Sequence, residues 1–285
     1  MDQRTIQILF VLLRSAICGT KLTEEERNNY SPDLLQDLLK ITSKHDVVHL
    51  LVFGLKQNEL ITKENSDIEK CILKAVYRYE RLRYEYENLC STLEEAQIPF
   101  LPLKGSVIRK YYPEAWMRTS CDIDVLVHET DSEIAKSILV ENCGYTYQET
   151  GSHDMSLFSP SGIHVELHYN LVEDGRANES SKTLKNVWCN TVVRDGFEYW
   201  YEMTDEMFYY YHVAHMAKHF EDGGCGVRPV IDLWILDNLH HTDKSKRDDL
   251  LAVGNLLKFT ESVRRLSRIW FENKEYDPVT KQTCQ

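Results

Sequence analysis

Two short segments of alternating polar and apolar residues place the strongest constraint on how this chain can fold. Residues 122–127 read DIDVLV, and residues 163–169 read IHVELHY. Alternate side chains of a β-strand point to opposite faces of the sheet. Each segment therefore predicts a strand with one apolar face and one face that carries carboxylates, Asp122 and Asp124 on the first and Glu166 on the second. If the strands are neighbours in one sheet, the three carboxylates converge.

Ahead of these strands the hydrophobic period is helical. From residue 72 to residue 93, apolar and aromatic residues recur every three or four positions, which is typical of an amphipathic helix. We expect that helix to begin near Ser66. An earlier helix is predicted at Ser31-Pro32, because Ser favours the N-cap and Pro suits the first turn. The helical period stops at residues 98–103 (IPFLPL), where two prolines favour a short extended segment.

The remaining pattern alternates helices with short strands and then becomes helical again. The elements predicted along the chain are a helix at 107–112, a helix at 131–142, strands at 145–147 and 155–158, and helices at 204–222, 230–239 and about 244–271. The sequence thus predicts an α+β fold: a small mixed-sheet core at 97–203, between an N-terminal helical region at 1–96 and a C-terminal helical region at 204–285.

Composition narrows the function classes. The 285 residues carry a net charge of −12, which suits extended nucleic-acid binding poorly, since that needs clustered Lys and Arg; a local pocket for one small anion is still allowed. No segment reaches the roughly 18 apolar residues of a membrane span, so no membrane partner is expected. The 8 cysteines are widely spaced and form no CxxC, which favours reduced thiols in the cytoplasm.

The carboxylate faces predict a cation site. Two like charges on one strand face repel, which is costly unless a cation lies between them. Mg²⁺ prefers carboxylate oxygens, and three carboxylates suffice for a two-metal site that clamps the attacking and leaving oxygens of a phosphoryl displacement. Taken alone, Asp-x-Asp is a weak signal for metal, and an ordinary strand with solvated polar residues is the simpler interpretation.

Lys104-Gly105-Ser106 precedes the first strand by 16 positions, counted from Ser106 to Asp122. A glycine just ahead of a helix start lets the backbone approach a phosphate, and the helix N-terminus favours an anion. Ser106 can donate a hydroxyl hydrogen bond, and Lys104 adds positive charge.

The order of these blocks resembles the DNA polymerase β-like nucleotidyltransferase superfamily, in which a Gly-Ser turn precedes Asp-x-Asp on the next strand and a third acid on a later strand. More closely, the blocks are similar to a bacterial group of uncharacterised nucleotidyltransferase family proteins. That similarity covers Leu103-Lys104-Gly105, Tyr112-Pro113, Arg118, 122–127 and 165–168, and a later string of His215, Lys218, His219, Gly223-Gly224, Arg228-Pro229 and Asp232.

The resemblance implies a Mg²⁺- or Mn²⁺-dependent enzyme that moves a nucleoside monophosphate from an NTP, with ATP expected, to an acceptor and releases pyrophosphate. Asp122 and Asp124 would hold metal and triphosphate, while Glu166 would complete the second metal site and help to deprotonate the acceptor. Gly105 and Ser106 would cradle the phosphates. Lys104 and Arg118 would neutralise negative charge on the leaving pyrophosphate. The residues expected to contact the nucleotide or support the site are His168, His215, Lys218, His219, Arg228 and Asp232. The acceptor stays open: a small molecule, a peptide, a protein or an RNA end.

Two other functions remain open at this stage. The same fold could bind a nucleotide without turnover, or a zinc-dependent hydrolase could use His212, His215 and His219, which share one helix face at spacings of 3 and 4. Packing of the histidines within the helical region, and a simple (i, i+4) pair between Arg228 and Asp232, explain the same residues without any function.

Overall fold

Five α-helices precede the sheet in the part of the chain that the structure describes. The computed structural model describes residues 3–61, 67–173, 179–238, 240 and 242–272; the predicted helix start at Ser66 and helix end at Leu239 lie outside these residues. The helices before the sheet are α1 (Gln3–Cys18), α2 (Glu24–Asn28), α3 (Leu35–Lys44), α4 (Val48–Gln57) and α5 (Lys70–Glu95). The Ser31-Pro32 signal opens a 3-10 turn that runs into α3, and the Ser31 hydroxyl donates to Asp33 instead of capping the backbone.

The central sheet is mixed and five-stranded, as the alternation predicts. Its strands are β1 (Phe100–Pro102), β2 (Asp122–Val127), β3 (Thr146–Thr150), β4 (Asp154–Phe158) and β5 (His164–His168), in the order β1-β2-β5-β4-β3. The β2–β5 pair is parallel, and the other neighbours are antiparallel. The two acid-bearing strands are therefore adjacent, with Asp124 directly opposite Glu166.

Two helices connect strands of the sheet. The helix α6 (Lys104–Ile108) links β1 to β2, and α7 (Ser132–Cys143) links β2 to β3; Gly144 ends α7 in the left-handed conformation at φ 70°. Such a C-cap favours glycine because it has no Cβ to clash. Ile123, Val125 and Val165 point into a buried core that also includes residues of α5 and α7. The acidic side chains are consequently directed to the other face of the sheet.

The chain after the sheet is mostly helical. Its elements are α8 (Glu179–Lys185), a hairpin of β6 (Thr191–Val193) and β7 (Tyr201–Met203), α9 (Asp205–Glu221), α10 (Arg228–Asn238), α11 (Lys244–Val253) and α12 (Leu257–Glu272). The single helical segment predicted over about 244–271 is wrong. The chain turns at Asn255, which is left-handed at φ 56°, and a Cβ added at Gly254 would lie 2.2 Å from the Tyr210 Oη.

The first and last helices belong to one hydrophobic core. Residues of α1, α4, α9, α10 and α12 share it, and the Phe10 ring stacks on Trp270 with centroids 4.1 Å apart. Periodicity shows which face of each helix is apolar but not which helix covers it. None of the described helices combines the length and the apolar character that crossing a bilayer requires.

Candidate active site

The site is built on the adjacent strands β2 and β5. Asp124 is buried, with 3% of its surface exposed, while Glu166 beside it is partly accessible. Asp124, Glu166 and His168 each present one ligand atom, and these atoms all lie within 4.8 Å of one another. Asp122 stands two residues before Asp124 and lies outside this cluster, but it lines the same cavity as Asp124 and Glu166, which is described below.

A lysine already lies among these carboxylates. The Lys104 Nζ is 2.7 Å from the Asp124 Oδ1 and 3.6 Å from the Glu166 Oε2. Lys104 begins α6 with a φ of 41°, a left-handed conformation that is unusual for a side chain of this size. Such a residue costs about 1–3 kcal/mol and persists only where its surroundings hold it. The lysine's contacts with two acids are what hold it here.

His168 bridges the same two acids. Its Nε2 lies 3.1 Å from the Asp124 Oδ1 and 3.2 Å from the Glu166 Oε2. Burial lowers the pKa of His168, but the hydrogen bonds with Asp124 and Glu166 outweigh burial and raise it above its ordinary value. Burial likewise raises the pKa of Asp124, but His168 and Lys104 hold it well below its usual range. Asp124 is therefore an ionised carboxylate at neutral pH.

The negative charges of the carboxylates are not fully balanced by Lys104 and His168. Burial, together with repulsion from Asp124 and Glu166, raises the pKa of Asp122. The two carboxylates of Asp124 and Glu166 and the imidazole of His168, with the Lys104 ammonium group against both acids, form a donor set that fits a divalent cation. This region of β2 and β5 thus has the chemistry of a cation site.

These residues open into a cavity of about 420 Å³, the carboxylate cavity, between β2, β5, α6, α9 and the start of α10. Arg118 and Asp232, predicted separately from the sequence, form one ion pair in its wall. The Arg118 Nε is 2.8 Å from the Asp232 Oδ1, and the Tyr112 hydroxyl donates to the same oxygen at 2.6 Å. Burial raises the pKa of Asp232, but the charge of Arg118 outweighs it, and the pKa falls below its usual value.

Arg228 lines the carboxylate cavity but is not the (i, i+4) partner of Asp232. Its Nη1 lies 3.2 Å from the Asp46 Oδ2 and 3.1 Å from the Thr119 carbonyl oxygen. Asp46 also accepts hydrogen bonds from Arg78. Sequence reasoning missed Asp46, because it precedes Arg228 by 182 positions and lies in a connection between two helices.

The three histidines of α9 all line the carboxylate cavity but make different contacts. The Nε2 atoms of His215 and His219 are 3.2 Å apart, whereas the His212 Nε2 contacts the Pro229 carbonyl oxygen at 3.0 Å. Burial and the charge of Lys104 hold the pKa of His215 well below its usual value. Among the described residues these histidines do not form a group of potential metal ligands. The structure gives the zinc hypothesis no ligand set.

The predicted phosphate turn is only partly assembled. Gly105 lines the carboxylate cavity, where a Cβ would lie 3.1 Å from the Ser120 Cβ. Ser106 instead lines a separate cavity beside Trp200, and its backbone N–H donates to the Leu103 carbonyl oxygen at 3.2 Å. The structure therefore does not bring Ser106 to the carboxylates, because the first turn of α6 rotates it to the other side.

A second cavity of about 480 Å³ adjoins the first; we call it the helical cavity. It lies between α8, α9 and residues 171–173 and 254–256, and Lys104, Tyr211 and His215 line both cavities. Lys218 lines the helical cavity and contacts the Glu173 carboxylate. Sequence reasoning missed Tyr211 and Glu173. The available signal for Tyr211 was its spacing of four from His215, which places both on one face of α9.

The fold and the site together define a class: an α+β protein whose mixed sheet presents carboxylates, with cationic side chains around them, to a cavity of ligand size. Residues 32–272 match the profile of a family described as uncharacterised nucleotidyltransferase, and the chain belongs to that family. No curated protein matches it. Among solved structures, the chain is similar to the antibiotic-resistance factor ANT(2'')-Ia at 11% identity and a TM-score of 0.43, covering 67% of this chain and 97% of that one.

Proposed function

We propose that this protein transfers a nucleoside monophosphate, AMP from ATP in the first instance, to an acceptor hydroxyl and releases pyrophosphate. The observation that carries the proposal is the cluster of Asp124, Glu166 and His168, with Lys104 against it, inside a cavity of ligand size. Family membership supports nucleotidyl transfer as the reaction class.

The reaction is a displacement at the α-phosphorus. The acceptor oxygen forms a bond to that phosphorus, the anhydride bond between the α- and β-phosphates breaks, and its electron pair leaves with pyrophosphate. The hydroxyl proton passes to Glu166, the most accessible carboxylate of the cluster. Asp122, Asp124 and Glu166 would hold Mg²⁺ or Mn²⁺, which when bound supplies positive charge to the triphosphate and the leaving group.

The chain's own cations supplement that charge. Lys104 and Arg118 face the cavity and stabilise negative charge on the leaving pyrophosphate, an electrostatic contribution that is strongest where water is excluded. Asp232 fixes the guanidinium of Arg118, and Asp46 fixes that of Arg228, so neither has to be ordered when the nucleotide binds.

Glu166 lies directly beside Asp124 on the same face of the sheet. A Glu166 turned away from the aspartates would have favoured a nucleotide-binding protein without turnover. We place the reaction in the cytosol, because the cysteines within the described residues are all free thiols.

Two measurements test the proposal. The first is calorimetric titration with Mn-ATP. The second is transfer of labelled AMP, from ATP labelled at the α-phosphate, to the small-molecule fraction of a cell lysate. We expect the wild type to bind Mn-ATP below millimolar concentration. Asp124→Asn should abolish that binding and lower transfer on the order of 1000-fold. Glu149→Gln, on an exposed position of β3, is the control and should match the wild type. Failure of the wild type to bind, or normal binding by Asp124→Asn, overturns the proposal.

A further inference from the structure

We infer that the helical cavity binds the acceptor, and that the acceptor is a small molecule with a hydroxyl group on an apolar body, neutral or cationic in charge. This inference rests on the proposed nucleotidyl transfer and narrows its acceptor. It selects one of the four classes that the sequence leaves open and excludes an RNA end.

The position of the cavity supports an acceptor site. Lys104, Tyr211 and His215 line both cavities, and His168 lines the helical cavity while its Nε2 contacts Asp124 and Glu166. In a phosphoryl displacement the attacking and leaving oxygens lie roughly in line across the phosphorus. Two adjoining cavities that meet at the carboxylates supply separate places for the nucleotide and for the attacking molecule.

A buried polar atom at this junction lacks a partner. The Nδ1 of His168 makes no hydrogen bond with the described residues, although His168 is only 3% exposed. Leaving a buried polar group unpaired destabilises the folded protein, because the group has lost its hydrogen bonds to water. The hydroxyl of a molecule in the helical cavity is a partner of the right chemistry, because it can donate or accept according to the imidazole tautomer.

The walls of the cavity define the body of the acceptor. The apolar side chains that line it are Leu171, Val172, Leu184, Ala214, Ala217 and Leu256. A volume of about 480 Å³ falls within the range of roughly 300–1,000 Å³ that small-molecule sites occupy. Its walls are formed by α8, α9 and the turn at residues 254–256, and a concave site of this size favours a small molecule over a folded protein or a peptide strand.

The charges of the described residues around the cavity favour a neutral or cationic molecule over an anion. Each lysine that lines it, within the part of the chain described, contacts a carboxylate: Lys104 contacts Asp124, and Lys218 contacts Glu173. Glu179 and Glu221 also line it and are exposed. A phosphorylated or carboxylated acceptor would meet carboxylates and no unengaged lysine, so a neutral or cationic molecule is favoured.

Three probes with one aromatic body and different charges test this inference. They are 2-phenylethanol, 2-amino-1-phenylethanol and 3-phenyllactate, titrated by NMR into protein saturated with Mn²⁺ and a non-hydrolysable ATP analogue. We expect the first two to bind at millimolar concentration and the anionic 3-phenyllactate to bind at least about tenfold more weakly. Bound Mn²⁺ should broaden the signals of the bound probes, since the two cavities adjoin.

Two variants locate the binding. Ala217→Phe fills the helical cavity and should weaken the two favoured probes at least about tenfold without changing Mn-ATP binding, while Ala217→Ser should resemble the wild type. If Ala217→Phe does not fold, Ala214→Phe replaces it, because this variant fills the same cavity one turn earlier on α9. The same loss of probe binding and the same unchanged Mn-ATP binding are expected.

Equal binding of all three probes, no binding by any of them, absence of Mn²⁺ broadening, or unchanged probe binding in the filled variants overturns the inference. If the wild type binds Mn-ATP, any of these results refutes the acceptor site alone. If the wild type does not bind Mn-ATP, the proposed function itself is refuted.

Discussion

The carboxylate cavity and the helical cavity share part of one wall but are built in different ways. In the carboxylate cavity, charged side chains hold one another through contacts between distant parts of the chain: Lys104 with Asp124, and Arg118 with Asp232. The wall of the helical cavity combines apolar side chains of residues 171–172, α8, α9 and the turn between α11 and α12 with polar ones such as Lys218 and Glu221. Paired charges fix the carboxylate cavity, whereas packing fixes the apolar part of the helical cavity.

This difference has a physical consequence. A buried ion pair contributes little net stability compared with apolar residues, but removing one partner is strongly destabilising because the other charge stays buried. A wall of apolar side chains responds to volume instead, since interiors are close-packed. Charge changes should therefore damage the carboxylate cavity, and steric changes should damage the helical cavity.

The largest effect is expected for Asp232→Asn. The variant leaves Arg118 without its carboxylate and should lower the free energy of unfolding by about 3–5 kcal/mol, measured by urea denaturation. Asp67→Asn removes the exposed contact with Lys70 and should change it by less than about 1 kcal/mol. If the two variants lose equal stability, the description of the carboxylate cavity as held by charge is wrong.

The stabilisation by the Arg118–Asp232 ion pair should depend on pH. Because the folded pKa of Asp232 lies below its usual value, the pair's stabilisation is present above the ordinary carboxyl pKa and is lost as pH falls through that range towards the folded pKa. The difference in stability between the wild type and Asp232→Asn should accordingly shrink on acidification from pH 7.

A smaller, steric effect is expected at the helical cavity. Gly254→Ala places a Cβ against the hydroxyl of Tyr210, which is fully buried and donates to the Ser180 carbonyl oxygen of α8. We expect a loss of about 1–3 kcal/mol in the free energy of unfolding. Tyr210→Phe removes the nearest of the three clashing atoms and leaves the ring carbons Cε2 and Cζ at 2.7 and 2.8 Å, so the double variant should lose less than the sum of the two single variants. Additive losses would show that this turn does not pack against Tyr210 as described.

The smallest effect is expected where the two cavities meet. Lys104→Ala removes an ammonium group that competes with a divalent cation for Asp124 and Glu166, so nucleotide-free protein should bind Mn²⁺ about tenfold more tightly, or about 1.4 kcal/mol. Electron paramagnetic resonance titration measures this, with the exposed Lys110→Ala as the control. Weaker Mn²⁺ binding by Lys104→Ala would show that the lysine supports the cation site instead of competing for it.

Much of the site was predictable because it depends on local rules. Alternation in β2 and β5 is enough to place Asp122, Asp124 and Glu166 on one face, and the structure confirms that the two strands are neighbours. Ser106 illustrates the limit of this reasoning. A Gly-Ser pair before a helix suggests a phosphate turn, but the rotation of the first helical turn decides which residue faces the cavity.

Pairings over long distances were not predictable in the same way. Asp232 binds Arg118 and not Arg228, and Arg228 binds Asp46, because partner choice depends on how α4, α9 and α10 pack. The helical cavity is a gap between elements, so no local pattern marks it. The break between α11 and α12 was missed because its cause is the fit of Gly254 against Tyr210.

Backbone periodicity and side-chain chemistry within a few residues were enough to predict the α+β class and the carboxylates on the sheet. The reaction class was implied by the resemblance of the ordered blocks to nucleotidyltransferases. Three features became visible only in the folded chain: Lys104 and His168 lie between the acids, α1 and α12 share one core, and a second cavity opens beside the first. Those features depend on contacts between residues far apart in the chain, and such contacts are selected by packing of the whole fold.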